Sequence, residues 1–442
     1  MNKKKTSGNM QQALQQAVHL HKSGKFDDAE RQYRSVLKQQ PDNPDVLHFL
    51  GMLLYRRGDI ASGLDSVRRA TLVAPEYADA FNNLGNMLKL AGKYEDAEAA
   101  YRRTIALRPN DANSHNNLGL VLKVRQLFAD AEAEFRKAIE IDDHHVPAYT
   151  NLGHLLKGTG RTEEAIGCFR AAIVFDPHNP HAPYVLGLAY QSNGNIAKAR
   201  EVFQSWLERE PGNPIAKHMI QACSTQSAPA RASDDYVRAV FDDVAESFDE
   251  HLSQLGYRAP QLIGDAFASA WPPHRVDMDV LDAGCGTGLC GASLRPKSRT
   301  LVGIDLSGGM LRRAQALYVY DELVEVELTA YLQKHPGAYD AIVSADTLCY
   351  FGALEAVFKA AASALRDGGR LFFTVEKAPD TAADTYHLQT HGRYNHAAAY
   401  VRRELEHAGF AVEAFQDADL RIESGKPVLG LVVTAVRSVS GQ

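Results

Sequence analysis

Along the first half of the chain, apolar residues recur three and four positions apart in runs broken by short polar turns, which is the spacing of amphipathic helices. The runs also repeat. Leucine–glycine pairs stand at Leu50-Gly51, Leu84-Gly85, Leu118-Gly119, Leu152-Gly153 and Leu186-Gly187, one every 34 residues. Small residues return on the same period at Ala29, Gly63, Ala97, Ala131, Ala165 and Ala199. Prolines do so at Pro41, Pro75, Pro109, Pro177 and Pro211, with Asp143 in the missing place. Two small positions per unit let a pair of antiparallel helices approach closely, and the proline closes one unit and starts the turn to the next. The pattern predicts six units, from Met10 to Asn43 and then beginning at Pro44, Ala78, Ala112, Val146 and Pro180, with a short helix from Pro214 toward Cys223. Such a unit cannot bury its apolar face alone, so residues 10–224 are expected to stack into an all-α superhelix with a long concave groove.

These positions and their period resemble the tetratricopeptide repeat family. The resemblance implies that the groove binds a protein or peptide. Asn83, Asn117 and Asn151 share one place in successive units, and Lys89, Lys123 and Lys157 follow six residues later in the same helices. By resemblance to arrays with an asparagine ladder, these rows would line the groove, the amides gripping an extended backbone and the lysines favouring an acidic ligand. Alternatively, the asparagines satisfy local backbone groups and the lysines are solvated surface.

The periodicity stops after Cys223. STQSAPARASDD reads as a linker over residues 225–234, and residues 235–442 read as a second domain. DYVRAVFDDVAESFDEHLSQLGYRAPQLI has helical spacing and is expected to form one or two helices that cap the rest of that domain. From Val276, strand-like runs (VDMDVLDAG, TLVGIDL, VEVELTAYL, YDAIVSAD, RLFFTVE) alternate with helical stretches, which predicts an α/β doubly wound, mostly parallel sheet of Rossmann-like form. The tail FAVEAFQDADLRIESGKPVLGLVVTAVR reads as a terminal antiparallel strand pair joined through a Gly-Lys-Pro turn region.

VLDAGCGTG, from Val280 to Gly288, delivers a strand into a glycine-rich turn. A dinucleotide would need a third glycine where Leu289 stands, and a P-loop would need Gly-Lys-Ser/Thr, which is absent. The spacing, with Asp282 ahead of Gly284, Cys285, Gly286 and Gly288, resembles the first motif of class I S-adenosylmethionine-dependent methyltransferases. The resemblance implies that the turn lies against the amino-acid end of that cofactor and that Asp282 answers its ammonium. GIDLS then offers Asp305, followed by Leu306, where a carboxylate can accept both ribose hydroxyls. By the same resemblance Glu327 and Leu328 lie near the adenine, Asp346 ends the fourth strand at the cofactor, and Tyr350 faces the transferable methyl. Cys285 and Cys290 read as packing residues.

THGRYNHAAAYVRRELEHAGF comes after the fifth strand, where this fold places its substrate lid, and resembles a bacterial subgroup that fuses such repeats to a methyltransferase domain. His396 is the favoured general base, His391 the runner-up, and Tyr394 a further catalytic candidate. Arg393 is expected to bind an anionic substrate group, with Tyr350 and Tyr400 lining the acceptor. The opposing reading packs His396 and Tyr400 on one helical face.

Composition narrows the picture only a little. The chain has 442 residues, 45% of them apolar, and a net charge of −6, so neither a nucleic-acid partner nor a membrane is expected. Five scattered cysteines without a Cys-x-x-Cys pair point to reduced thiols in the cytoplasm and no metal site. Two classes of function remain: a methyltransferase whose array recruits a protein or peptide, or a repeat scaffold whose second domain only senses or binds cofactor. A dinucleotide oxidoreductase is a third, disfavoured by Leu289.

Overall fold

The computed structural model describes residues 2–224, 228–272, 274–380, 385–423 and 426–438. The chain divides into two compact units, Met1–Ala182 and Pro183–Gln442. In the first, helices pair in antiparallel fashion: α1 (Asn2–Lys22) with α2 (Phe26–Gln39), α3 (Pro44–Arg56) with α4 (Ile60–Val73), α5 (Ala78–Leu90) with α6 (Tyr94–Leu107), α7 (Ala112–Val124) with α8 (Phe128–Ile141), and α9 (Val146–Gly158) with α10 (Thr162–Phe175). The recurrent glycine has a direct steric cause. A methyl group at Gly85, Gly119 or Gly153 would fall 2.7, 2.6 or 2.5 Å from the ring of Tyr101, Phe135 or Phe169. Each ring sits on the second helix of the same repeat and is fully buried, so the glycine on the first helix is the seat for the aromatic on the second. Entry into α3 is fixed by Asn43, whose side chain accepts from Val46 N–H, with Pro44 at the first helical position.

The second unit begins with the helices of the last repeat, α11 (Ala182–Ser192) and α12 (Ile196–Arg209), and the short helix after it, α13 (Pro214–Ala222). Three helices come next, α14 (Asp234–Val244), α15 (Phe248–Gln254) and α16 (Ala259–Ser269). Then come β1 (Met278–Ala283), α17 (Gly291–Leu294), β2 (Ser298–Asp305), α18 (Gly308–Gln315), β3 (Glu322–Glu325), α19 (Leu328–Gln333), β4 (Tyr339–Ser344), α20 (Glu355–Ala364) and β5 (Leu365–Lys377). The chain closes with β6 (Tyr386–Leu388), β7 (Tyr394–His396), α21 (Ala398–His407), β8 (Phe410–Glu423) and β9 (Lys426–Arg437).

The sheet runs β3-β2-β1-β4-β5, all parallel, and its free side beyond β5 takes β9 antiparallel from Arg370↔Val436 to Glu376↔Gly430. β8 pairs antiparallel with β9, and β7 adds to the far end of β5 at Glu376↔Asn395. The expected terminal pair is therefore present, but Lys426 and Pro427 of the expected Gly-Lys-Pro turn are already strand, paired with Glu423 and Ile422, while Ser424, Gly425 and linker residues 225–227 lie outside the described residues. One expectation needs correction. VEVELTAYL is a strand only to Glu325; Leu328–Gln333 is helical because the Glu327 carboxylate accepts from Thr329 and Ala330 N–H and caps that helix. Helices cover both faces: Phe267 and Ile263 of α16 pack on Val280, Phe372 and Val432, while Phe358, Val401 and Leu405 pack on the alternate residues Leu281, Phe373 and Val433. Strand order reverses between β1 and β4, and the crevice past the carboxyl ends of those strands is where such sheets take ligands.

Candidate active site

The turn after β1 is built by backbone conformation. Gly284, Gly286 and Gly288 have φ of +82°, +56° and +91°, a region that side-chain-bearing residues avoid. A Cβ at Gly284 would run into Thr347, whereas one at Gly286 would meet nothing within 4 Å, so the turn opens to free space at Gly286. Asp305, at the end of β2, accepts from Gly286 N–H through Oδ2 and from Ser307 N–H through Oδ1, both at 2.9 Å. Leu306 comes directly after it, half-buried. Burial raises the Asp305 pKa against these backbone bonds, which favour the charged form.

Asp282 lies at the end of β1, buried beside the turn. It is 1% exposed, accepts the Tyr320 hydroxyl at 2.7 Å, and burial pushes its pKa up to about 7. Cys285 and Cys290 are buried, and burial raises both thiols, which keeps them un-ionised packing groups. Glu327 is committed to the cap of α19, and Leu328 is buried against the sheet. The cap region contributes residues not singled out from sequence. Asp242 of α14 accepts from Ser307 Oγ at 2.5 Å and Gly309 N–H at 3.0 Å, and Asp249 of α15 accepts from Thr287 Oγ1 at 2.5 Å. The cap helices are thereby tied to the loops after β1 and β2.

A second cluster lies past β4 and β5. Asp346 has φ +52°, with its N–H donated to Thr374 Oγ1 at 2.8 Å. Arg421 of β8 is 1% exposed and lies among Asp346 at 3.2 Å, Glu423 at 2.6 Å and Glu376. Arg393 is shared between Glu423 at 2.5 Å and Glu376 at 3.5 Å. Although burial opposes ionisation, the two guanidinium groups pull the Glu423 pKa down to about 2. Three carboxylates thus answer two guanidinium groups, and the cation expected at Arg393 is already paired. His391 brings its Nε2 to 3.8 Å from Glu376 Oε2, while its Nδ1 is buried with no hydrogen-bond partner among the described residues. Burial lowers the His391 pKa against the raising influence of Glu376, so the ring is neutral near pH 7. Tyr350 stands beside this cluster, its ring 5.5 Å from Phe241 and 6.5 Å from Tyr236.

The other lid residues point elsewhere. His396 has no exposed surface; its Nε2–H is directed at the carbonyls of Phe351 and Gly352 at 2.9 and 3.1 Å, and burial lowers its pKa to about 4. Tyr394 is fully buried and donates to Pro229 O at 3.0 Å. The Tyr400 hydroxyl accepts from Leu354 N–H at 3.0 Å, and its ring lies parallel to that of His396. His396 is on a strand and Tyr400 on a helix, so the two meet across elements rather than along one helical face. Sequence proximity grouped these residues with His391 and Arg393, but the structure separates a packing cluster from a polar one.

In the first unit the repeated asparagines and lysines are half-buried on α5, α7 and α9. Asn83 Nδ2 lies 2.8 Å from His48 Nε2, and Asn151 Nδ2 donates to Asn116 Oδ1 at 2.9 Å. Burial lowers the pKa of Lys123. Successive repeats are therefore linked by side-chain amides as well as by packing.

Comparison with known proteins defines the class. Residues 255–415 match the methyltransferase domain family, and residues 14–81, 78–111 and 150–214 match tetratricopeptide repeat families. The chain is a tetratricopeptide-repeat protein fused to a methyltransferase domain. It is 38% identical over 105 residues to methyltransferase-like protein 27 of Homo sapiens, covering 23% of this chain and 43% of that one. It is 33% identical over 99 residues to the ubiquinone biosynthesis O-methyltransferase of Thiobacillus denitrificans, covering 22% and 43%. The chain thus spans less than half the length of these relatives. Among solved structures, that of MamA is 27% identical with TM-score 0.35, covering 36% of this chain and 94% of that one. That of YrrB, described as a TPR protein with an unusual peptide-binding site, is 20% identical with TM-score 0.36, covering 42% and 96%.

Proposed function

We propose that the chain is an S-adenosylmethionine-dependent methyltransferase that acts on a hydroxyl or amine, with the repeat array recruiting the protein or peptide that is, or carries, the acceptor. The observation that carries this reading is His391: a neutral imidazole with Nε2 toward Glu376 and Nδ1 buried without a hydrogen-bond partner among the described residues. The Glu376 carboxylate, 3.8 Å from Nε2, favours the proton on that side, which would leave Nδ1 as the lone pair that takes the acceptor's proton. The relatives named as O-methyltransferases support a hydroxyl acceptor.

The residues present fit the cofactor. The turn is open at Gly286, Asp305 keeps lone pairs beyond its backbone bonds, and exposed Leu289 occupies the place where a pyrophosphate-binding turn has glycine. The turn from Gly284 to Gly288 and Asp305 would hold it, with Leu306 and Leu328 on its flanks. When bound, S-adenosylmethionine supplies an activated methyl group. What the chain adds is alignment, exclusion of water and the base. Asp282, beside the turn, is proposed to face the cofactor's ammonium while it holds the Tyr320 hydroxyl. The Arg393 and Arg421 network fixes Glu376 and thereby His391, in place of binding an anionic substrate. His396, Tyr394 and Tyr400 hold the lid to the loop after β4.

In the first unit, the amide rows at Asn83, Asn117 and Asn151 are proposed to face a peptide, with Lys89, Lys123 and Lys157 favouring acidic ones. The five cysteines, all free thiols, suit a reducing cytoplasm. The test is incubation of the full chain with methyl-labelled S-adenosylmethionine and cell extract, separated into protein and small-molecule fractions. Label that is lost in His391→Gln and kept in His396→Gln supports the reading. Label in no fraction, or transfer indifferent to His391, contradicts it.

A further inference from the structure

The last repeat and the helix that closes the array belong to the same compact unit as the methyltransferase sheet, and their side chains reach the lid. His218 on α13 places Nε2 2.8 Å from the carbonyl oxygen of Gly392, the residue between His391 and Arg393. A carbonyl only accepts, so His218 Nε2 carries the proton. The His218 ring stacks on Tyr236 of α14, with centroids 3.8 Å apart and planes at 21°. Gly392 has φ +92°, and a Cβ there would fall 2.7 Å from Tyr236 Oη and 3.2 Å from Met219 Sδ. The lid backbone therefore lies directly on α13 and α14, with room for hydrogen only. Tyr184 of α11, packed on the cluster of Phe203, Trp206 and Met219, lies close enough to Arg393 and Glu423 to feel both charges. Tyr236 continues the contact to Tyr350.

This arrangement is more than a domain boundary resting on a surface. The donor, the stacked rings and the glycine approach converge on the single residue between the proposed base and Arg393. A shift of Gly392 would move both. Positioning of this kind is sensitive to small displacements, since a base misplaced by about 1 Å costs roughly 100-fold in rate.

We propose that the helix closing the repeat array is a working part of the methyltransferase site: His218 of α13, with Tyr236 of α14, clamps the lid at Gly392 and so positions His391 and Arg393. His218 is here a positioning residue. The inference rests on the reading of His391 as base, but its test needs neither cofactor nor acceptor.

The experiment is amide hydrogen exchange on the full chain, comparing wild type with His218→Phe, which keeps a ring but loses the donor, His218→Gln, which can donate again, and Gly392→Ala, which attacks the contact from the lid side. Exchange over residues 386–396 is expected to rise about tenfold in His218→Phe and in Gly392→Ala while β1 to β4 keep their protection, and to fall back toward wild type in His218→Gln. Unchanged lid exchange in both disruptive variants would overturn the proposal. So would a loosening spread evenly over residues 183–442, or a glutamine variant no better than phenylalanine. A clamped lid together with methyl transfer indifferent to His391 would sink the base assignment alone.

Discussion

Replacing Asp282 with Asn should stabilise the methyltransferase unit, and more so as pH rises. Asp282 is buried beside the glycine turn, 1% exposed, with a Tyr320 hydroxyl bond and the Asp305 carboxylate nearby, and its pKa stands at about 7 against 3.8 for the free side chain. A folded-state pKa raised in this way means the native state holds the proton more tightly than the unfolded chain. The stability this confers is complete below pH 3.8 and is lost progressively as pH rises through 7. Asn imitates the protonated form and can still accept from Tyr320, so it is spared that loss. Each pH unit between the two pKa values is worth about 1.4 kcal/mol, which gives the variant an advantage of roughly 2 kcal/mol at pH 5.5 and roughly 4 kcal/mol at pH 8.5. These are upper figures, and the informative quantity is the growth of about 2 kcal/mol between the two pH values, in which other titrating groups cancel. The assay is urea unfolding in a Trp206→Phe background, where Trp271, packed on Met278 and Val280 beside β1, reports on this core. Equal pH dependence in the two proteins, or a variant less stable at pH 8.5, would refute the reasoning.

Three further outcomes are expected from the same geometry. Gly119→Ala should lower the melting temperature of the array, because overpacking against Phe135 costs about 1–3 kcal/mol and outweighs the gain of up to about 1 kcal/mol from helix propensity, whereas Gly167→Ala, with nothing within 4 Å, should raise it; circular dichroism checks both. His391→Gln should reduce methyl transfer about 100- to 10,000-fold, and His396→Gln, which keeps a donor for the Phe351 and Gly352 carbonyls, should leave most of it, as a labelled-methyl assay would show. Because burial holds the His391 pKa below 6.5, the rate should stay high as pH falls through 6.5 and drop only at lower pH; a profile that bends at or above 6.5 would contradict the assigned base.

Much of this architecture was legible because its signals are local or periodic. The 34-residue beat of Leu-Gly and Ala marks helix pairs, since a glycine seating an aromatic is a requirement that returns from repeat to repeat. The turn from Gly284 to Gly288 declares itself by three positions at positive φ. The polar cluster was not legible for the opposite reason. Arg421 meets Glu376 across 45 residues and Asp346 across 75, and while Asp346 stands out at a strand end, Arg421 and Glu376 sit in stretches that otherwise read as ordinary strand. The lid shows a related limit. His391 and His396 are five residues apart, and only the placement of Tyr394–His396 as a buried strand sends one imidazole into packing while the other stays beside Glu376. The compact units also part inside the repeats, at residue 182, and α13 carries a histidine and a methionine that meet the neighbouring lid. Periodicity reports that such a helix exists and is silent on what its outer face touches.

Calorimetric titration of the full chain with S-adenosylmethionine, S-adenosylhomocysteine and NAD, beside Asp305→Ala, tests the central claim most directly. Binding of both sulfur cofactors in the micromolar range, weakened at least tenfold by the substitution and absent for NAD, is the predicted result. Saturable binding of NAD, or heat of binding from none of the three, would contradict the assignment of the glycine turn and with it the enzyme.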